Sequence, residues 1–272
     1  MSESPTQNLP AAAQETGADA PLARLASLLR AGAVLFLLAG LVVFYSLAQP
    51  AFLNINNLLS ILQAVSVVAI LGVGVTVTLA VGGFDLSIGA VAASSVMAAS
   101  YAMVVWGLSA PATVVFVLAF GATVGLVNSL LIVKLRVPDL LATLSMMFLL
   151  SGLQLIPTAG RSISSGLILP DGSKATGAYD PAFLLIGRSS LGGVPLPVVI
   201  MLVVAVLLFV LTERTRIGRL IFATGGNEVA ARLAGANTAR LKTLAYVVSG
   251  ALASLGGIVI AARVGRGDVS SG

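Results

Sequence analysis

Cysteine and histidine are both absent from the 272 residues of this chain. Without cysteine it forms no disulfide and offers no thiolate to a metal, although this says little about its compartment. Without histidine it lacks the commonest metal ligand and the usual proton shuttle near neutral pH. No G-x-x-x-x-G-K-[ST] string occurs, so the chain has no phosphate cradle of its own for ATP hydrolysis. Nothing in it pairs a nucleophile with a base. The chain is not expected to be an enzyme, and no metal or organic cofactor is expected.

Charge is the other scarcity. Only 9% of residues are charged and 58% are hydrophobic, with 29 glycines, whereas soluble domains carry roughly 25% charged residues. From Ala31 to Val133 one charged side chain occurs, Asp85. Apolar runs of about 20 residues cross a bilayer as helices, and seven spans fit, near 31–48, 58–81, 87–106, 111–133, 141–160, 196–212 and 243–262. The fold class is therefore all-α, a polytopic transmembrane helix bundle. Residues 1–30 are polar and rich in Ala, Pro and Ser, and read as a disordered tail before one transmembrane domain, 31–272. Ser46-Leu47-Ala48 resembles a cleavage site, but the apolar stretch exceeds a signal core of about 7–15 residues and lies far from the start. It reads as the first span.

The net charge of +5 is not a nucleic-acid signature, because the basic residues collect in loops beside spans rather than on one soluble face. With the N-terminus cytoplasmic, Arg24, Arg30, Lys134, Arg136, Arg214, Arg216, Arg219, Arg232, Arg240 and Lys242 fall inside. Arg161, Lys174, Arg188, Arg263 and Arg266 fall outside. That bias fits the positive-inside rule and makes 213–242 a cytoplasmic loop and 161–195 an extracytoplasmic one.

The cytoplasmic loop is a charged island holding six basic and two acidic side chains. Gly225 and Gly226 break its first part, Asn227 suits an N-cap, and Gly235 suits the left-handed residue that ends a helix. Val229 and Leu233 stand four apart on one face, with Ala230 and Ala236 beside them. Glu228 and Arg232 make an i,i+4 pair worth about 0.3–0.5 kcal/mol when exposed. A helix this short is not stable alone in water, so it is expected to dock on something. An ordinary positive-inside connector is the alternative.

The string GGNEVAARLAGAN, from Gly225 to Asn237, resembles the cytoplasmic coupling loop of permease subunits of ABC importers for ribose and other simple sugars. GGFDLSIGAVAA (Gly82 to Ala93) and ATLSMMFLLSGL (Ala142 to Leu153) agree, and the resemblance runs from about Pro50 to the C-terminus. It implies that Gly225, Gly226, Asn227, Glu228, Val229, Ala230, Arg232, Leu233 and Gly235 form a coupling helix seated on a separate ATPase. It further implies a second permease subunit, identical or not, an extracytoplasmic solute-binding protein and a bacterial inner-membrane location. Two other functions stay open, an ion-gradient-driven secondary transporter and an importer of another small solute such as a signalling furanose or a nucleoside. The scarcity of membrane carboxylates and of visible inverted repeats speaks against the first.

The resemblance makes the Gly82–Ala93 string important, so Gly82, Gly83, Asp85 and Ser87 are candidates for the translocation segment, and Asn128 joins them on its side-chain chemistry. Intramembrane ionisable groups are costly and face cavities or polar ends. Asp85 has three readings: a cap accepting from N–H groups near Ser87 and Ile88, a residue lining the route at a helix break, or part of a plain cytoplasmic turn. Gln63, Asn128 and Gln154 suit sugar hydroxyls, and interhelical hydrogen bonds explain them equally.

Ala245, Ser249, Ala253, Gly257 and Ala261 recur every fourth position in the last span, and Gly121, Gly125 and Ser129 do so in the fourth. Such stripes allow close helix approach. The family continues through further spans after the point where this chain stops, ten residues past Ala262. The chain is therefore expected to be C-terminally incomplete, with the last span's stripe awaiting a helix from beyond its end. The ends of the 161–195 loop resemble the segment facing the binding protein, while its middle, around Asp171 to Tyr179, looks longer than the family pattern.

Overall fold

The structure, a computed structural model, describes residues 20–169 and 172–268. It is helical almost throughout. Seven apolar helices follow the expected order: α1 (Ala20–Ala48), α2 (Ile55–Ala80), α3 (Ile88–Val104), α4 (Ala110–Val133), α5 (Asp139–Leu153), α7 (Leu196–Phe209) and α10 (Thr238–Val264). Between α5 and α7 lies α6 (Pro181–Arg188), and between α7 and α10 lie α8 (Arg216–Gly226) and α9 (Glu228–Leu233). Four helical stretches are long and apolar enough to cross a membrane: Ile55–Ala80, Ala110–Val133, Leu196–Arg214 and Thr238–Val264. Beyond α7 the helical path continues as a short π-helix, Val210–Arg214. Gly32–Ala48, Ile88–Val104 and Asp139–Leu153 are apolar but shorter.

Two boundaries differ from expectation. α1 starts at Ala20, so residues 20–30 are helical rather than an unstructured tail, as their Leu, Ala and Arg content favours. Residues 1–19 lie outside the described residues. α5 stops at Leu153, not near 160, because Pro157 follows and the chain tightens into a 3-10 turn at Ile156–Thr158. The described residues fall into two compact units that meet at Leu58–Leu59. In the first unit, α1 exposes an apolar surface over nearly its whole described length.

In the second unit α10 is the central helix, packed on α4 and α3. Gly121 and Gly125 of α4 meet α10 backbone to backbone: a Cβ at Gly121 would run into the Gly250 carbonyl, and one at Gly125 into that of Tyr246. Gly257 lies on the α3 backbone at Ala92 in the same way. Ala245, Ser249, Ala253 and Ala261 are fully buried. The partner expected from beyond the C-terminus is thus supplied within the chain by α3 and α4. Ser95 and Ser254 also join these helices at 2.9 Å, an interhelical bond of the kind that holds membrane bundles together.

The 161–195 segment is not a free solvated loop. Ile163 bridges Gly267 beyond α10, and Phe183 of α6 is fully buried. Arg188 donates from Nε to the Arg263 carbonyl and from Nη2 to that of Val264, both at 3.1 Å. A cation on the last carbonyls is the favoured charge for a helix C-terminus. Asp180 serves two helices, accepting at 2.9 Å from the Ala182 N–H of α6 and at 2.9 Å from the Ala110 N–H of α4. Tyr179 reaches Ser100 of α3 at 2.5 Å. Burial pushes its phenol up to about 12, although the Ser100 bond opposes the shift. A hairpin follows, β1 (Ser190–Leu191) paired with β2 (Val194–Pro195). Its two turn residues, Gly192 and Gly193, both have positive φ, as a tight hairpin turn demands.

Candidate functional site

The chain breaks its helical path between α2 and α3, at Gly82–Ser87. Inside a membrane protein such irregular backbone is tolerated only where protein or water satisfies it. Side chains from two helices do so here. The Phe84 N–H donates to Asp139 Oδ2 of α5 at 2.7 Å, and the Leu86 N–H to Thr143 Oγ1 at 3.2 Å. Tyr246 of α10 donates from its hydroxyl to the Phe84 carbonyl at 3.5 Å. Gly82 has φ 80°, a left-handed conformation that glycine adopts without strain. A Cβ at Gly83 would meet the Tyr246 hydroxyl at 2.6 Å.

Asp85 sits in this break and is 4% exposed. Its Oδ1 accepts from the Ser87 N–H at 2.9 Å and the Ser87 hydroxyl at 2.6 Å. Its Oδ2 accepts from Ser249 Oγ of α10 at 2.8 Å. Asn128 of α4 completes the group by donating from Nδ2 to Ser87 Oγ at 2.9 Å, and its Oδ1 has no partner. Three of the expected residues, Asp85, Ser87 and Asn128, therefore meet in one buried network. The capping reading does not hold: Asp85 accepts from the Ser87 N–H, but the helix starts at Ile88 rather than Leu86, its N-cap position is Ser87, and no side chain caps it. The plain-turn reading fails, because the carboxylate is buried and reaches a second helix. Gln63 instead donates to the Gly187 carbonyl at 2.8 Å, an interhelical role.

The charged island folds beside this break. α9 is short and held at both ends. Asn227 Oδ1 accepts from the Ala230 N–H at 2.9 Å, and Gly235 closes the helix at φ 88°. Ala231 and Ala236 pack inward with Val77, Val81, Ile221, Leu241 and Ala245. Val229 and Leu233 point away, 68% and 85% exposed. Ala236 thus belongs to the inner face, not to the Val229–Leu233 face where the sequence spacing put it. The reason is that Gly235 turns the chain before Ala236.

Glu228 does more than pair with Arg232. Its Oε1 accepts from Arg232 Nη2 at 2.8 Å and Thr238 Oγ1 at 3.2 Å, while its Oε2 accepts from Lys242 Nζ at 2.6 Å. The Lys242 bond foremost, with Arg232 and Thr238, holds the carboxyl below its ordinary value against the opposing effect of burial. The i,i+4 estimate therefore misses a clip between α9 and α10. A cavity of about 880 Å³ opens beside it, lined by Arg136, Arg232 and Lys242 with Glu228. Lys242 also lines a smaller cavity of about 220 Å³ that reaches Gly82 and Gly83.

Gly225, at the end of α8, makes the direct connection. A Cβ there would run into the Ala80 carbonyl at the end of α2, and one at Gly82 would lie 3.2 Å from the Gly225 Cα. Gly226 touches nothing within 4 Å of where its Cβ would be. Of the expected coupling residues, then, Gly225 packs against the break, Asn227, Glu228 and Gly235 hold the helix, and Val229 and Leu233 are free on its outside. Ser249, Asp139, Thr143 and Tyr246 were not legible as partners of the break. Ser249 was hidden in the small-residue stripe. Asp139, following Pro138 at a span's start, carried the clearest missed signal.

Residues 57–272 match the family described as branched-chain amino acid transport system / permease component. The chain is 38% identical over 233 residues to the ribose import permease protein RbsC of Escherichia coli, covering 85% of this chain and 69% of that one. The Bacillus subtilis ribose import permease is 33% identical over 85% of this chain and 68% of its own. The galactofuranose transporter permease protein YtfT of Escherichia coli is 34% identical over 78% and 58%. No solved structure matches. With its family model covering most of the sequence and its relatives above 30% identity, the chain belongs to this family of transport-system permease components.

Proposed function

We propose that this chain is the membrane subunit of an ABC importer for a simple sugar of the ribose type, with its N-terminus cytoplasmic. Ribose, galactofuranose, allose and xylose permeases are among its relatives. In this reading α9 docks on a soluble ATPase. Two permeases act together, identical or not, with an extracytoplasmic binding protein delivering the sugar.

The observation that carries the reading is the two-sidedness of α9. One face is packed into the bundle through Ala231, while Val229 and Leu233 stand exposed at its tip. A helix of six residues is not stable by itself, so capping, the Glu228 clip and inward packing hold it rigidly where a partner can grip it. Motion of the gripped helix reaches the membrane through Gly225 on Ala80 and then the Gly82–Ser87 break, whose Asp85 is tied to α10. In this reading Gly82, Gly83, Asp85, Ser87 and Asn128 transmit and hold the translocation segment. Asp85 acts through hydrogen bonds rather than by touching the sugar.

Reconstitution tests it. Vesicles holding the permease, its ATPase and its binding protein should take up D-ribose with ATP and be insensitive to an uncoupler. Leu233→Asp should still insert but lose the ATPase and all uptake, since an unpaired charge buried at an interface costs about 3–5 kcal/mol. ATP-independent uptake that collapses with an uncoupler would replace the reading with secondary transport.

A further inference from the structure

At the ends of α4 and α10, beside α9, lies the cavity of about 880 Å³ lined by Arg136, Arg232 and Lys242 with Glu228. We infer that it seats the headgroup of an anionic phospholipid, with the phosphate ester held by Arg136 and Lys242. The inference does not depend on which solute is transported. It needs only that α4 and α10 leave the bilayer here.

Three observations carry it. The first is charge. Three cations line the cavity against one carboxylate, and that carboxylate, Glu228, is already shared between Arg232 and Lys242. Positive charge is left over, and Arg136 is its plainest source, since its side chain makes no hydrogen bond or ion pair among the described residues. The second is backbone strain. Arg136 has φ 55°, a left-handed conformation that glycine takes freely and a residue with a Cβ does not. Such strain persists where the surroundings impose it, and it gathers at binding sites.

The third is placement. Ile132 and Val133, the last residues of the membrane-length α4, give the cavity an apolar side, and Lys242 stands one turn into α10. A lipid meets both sides at once, the phosphate on the cations and the glycerol and acyl carbons on Ile132 and Val133. A free phosphate ester uses only the charged side. Basic pockets between membrane helices bind anionic headgroups, and the planar fork of an arginine fits two phosphate oxygens. A phosphate shared by Arg136 and Lys242 ties the turn between α4 and α5 to α10 and, through the Glu228 clip, to α9.

The purified chain in detergent is titrated with phosphatidylglycerol, phosphatidylcholine and soluble glycerol phosphate, and the bound molecules are counted by native mass spectrometry. Phosphatidylglycerol should bind saturably and about tenfold or more tightly than the other two. Arg136→Gln should weaken it about tenfold, the size of one lost charge-assisted hydrogen bond. Arg219→Gln removes an exposed cation outside the cavity and should change little. Arg136→Gly keeps the test valid if Arg136→Gln misfolds, because it relieves the backbone; it should unfold no earlier than wild type and still lose the lipid. Equal binding of phosphatidylcholine or of glycerol phosphate overturns the inference. So does an equal loss from Arg219→Gln, the mark of diffuse surface charge. Unchanged phosphatidylglycerol binding in Arg136→Gln, with weaker ATPase association in the assembled importer, overturns it in favour of an acidic segment of the ATPase.

Discussion

Two polar regions inside the second unit are built on opposite principles. At the Gly82–Ser87 break the Asp85 carboxylate is buried, and it and the Phe84 and Leu86 N–H groups are satisfied by side chains of α5 and α10, together with Ser87. Beside the apolar cavity between α3, α4 and α5, Ser94 and Gln154 keep polar atoms without partners. An unmet buried polar group costs about 1–3 kcal/mol, so the first arrangement stabilises the bundle and the second does not. The difference separates a buried network whose members satisfy one another from a helix contact that leaves polar atoms unmet. Asn128 is the intermediate case, with Nδ2 bound and Oδ1 not.

The largest effect should come from the backbone contact that joins α8 to the break. Gly225→Val drives a side chain into the Ala80 carbonyl, and overpacking of this kind costs about 1–3 kcal/mol or more. Thermal unfolding in detergent should drop clearly and uptake should vanish. Gly226→Ala, with open space around it, should leave both near wild type. Equal damage from the two would remove the contact from the account.

Next is Asp85. Asp85→Ala strips partners from Ser87 and Ser249 and should lower stability by about 1–3 kcal/mol. Asp85→Asn can still accept from Ser87 and can donate to Ser249, so it should keep most uptake at matched membrane levels. If Asn fails as badly as Ala, the charge itself is required and the region is part of the sugar's route rather than its frame.

Glu228 should be intermediate. Glu228→Ala opens the link between α9 and α10 and should reduce ATPase-coupled uptake more than Arg232→Ala, which removes only the exposed partner. The pH dependence has a definite sign. The folded carboxyl titrates below its unfolded value, so its contribution is present at neutral pH and is lost as pH falls through the acid range. ATPase association should weaken on acidification in the wild type, and this dependence should flatten in Glu228→Gln.

The smallest stability change belongs to the second of the two regions. Ser94→Ala and Gln154→Leu remove unmet polar atoms and should leave thermal unfolding unchanged or slightly raised. A loss as large as that of Asp85→Ala would erase the contrast between the two regions.

Much of this was readable in the sequence because a few residues carry strong local physics. Long apolar runs named the helices, and Asn227 and Gly235 marked both ends of α9. The isolation of Asp85 marked the break. What sequence could not supply was pairing across distance: Ser249 with Asp85, Lys242 with Glu228, Arg188 with the end of α10. Each joins residues far apart in the chain, and each looked like something simpler, a packing stripe, a loop cation or a surface charge. The contacts of the 161–195 loop were hidden for the same reason, since its Gly and Ser content masks Ile163, Tyr179 and Phe183, which fold it onto α3 and α10.

The account turns on α9 being the surface an ATPase grips. The chain's lack of cysteine gives a clean background for placing single ones. Leu233→Cys and, as a control at the hairpin, Leu191→Cys are both at exposed positions. With the assembled importer and a homobifunctional thiol cross-linker, Leu233→Cys should join to the ATPase and Leu191→Cys should not. ATPase cross-linking at Leu191 with none at Leu233 would contradict both the docking surface and the orientation of the chain.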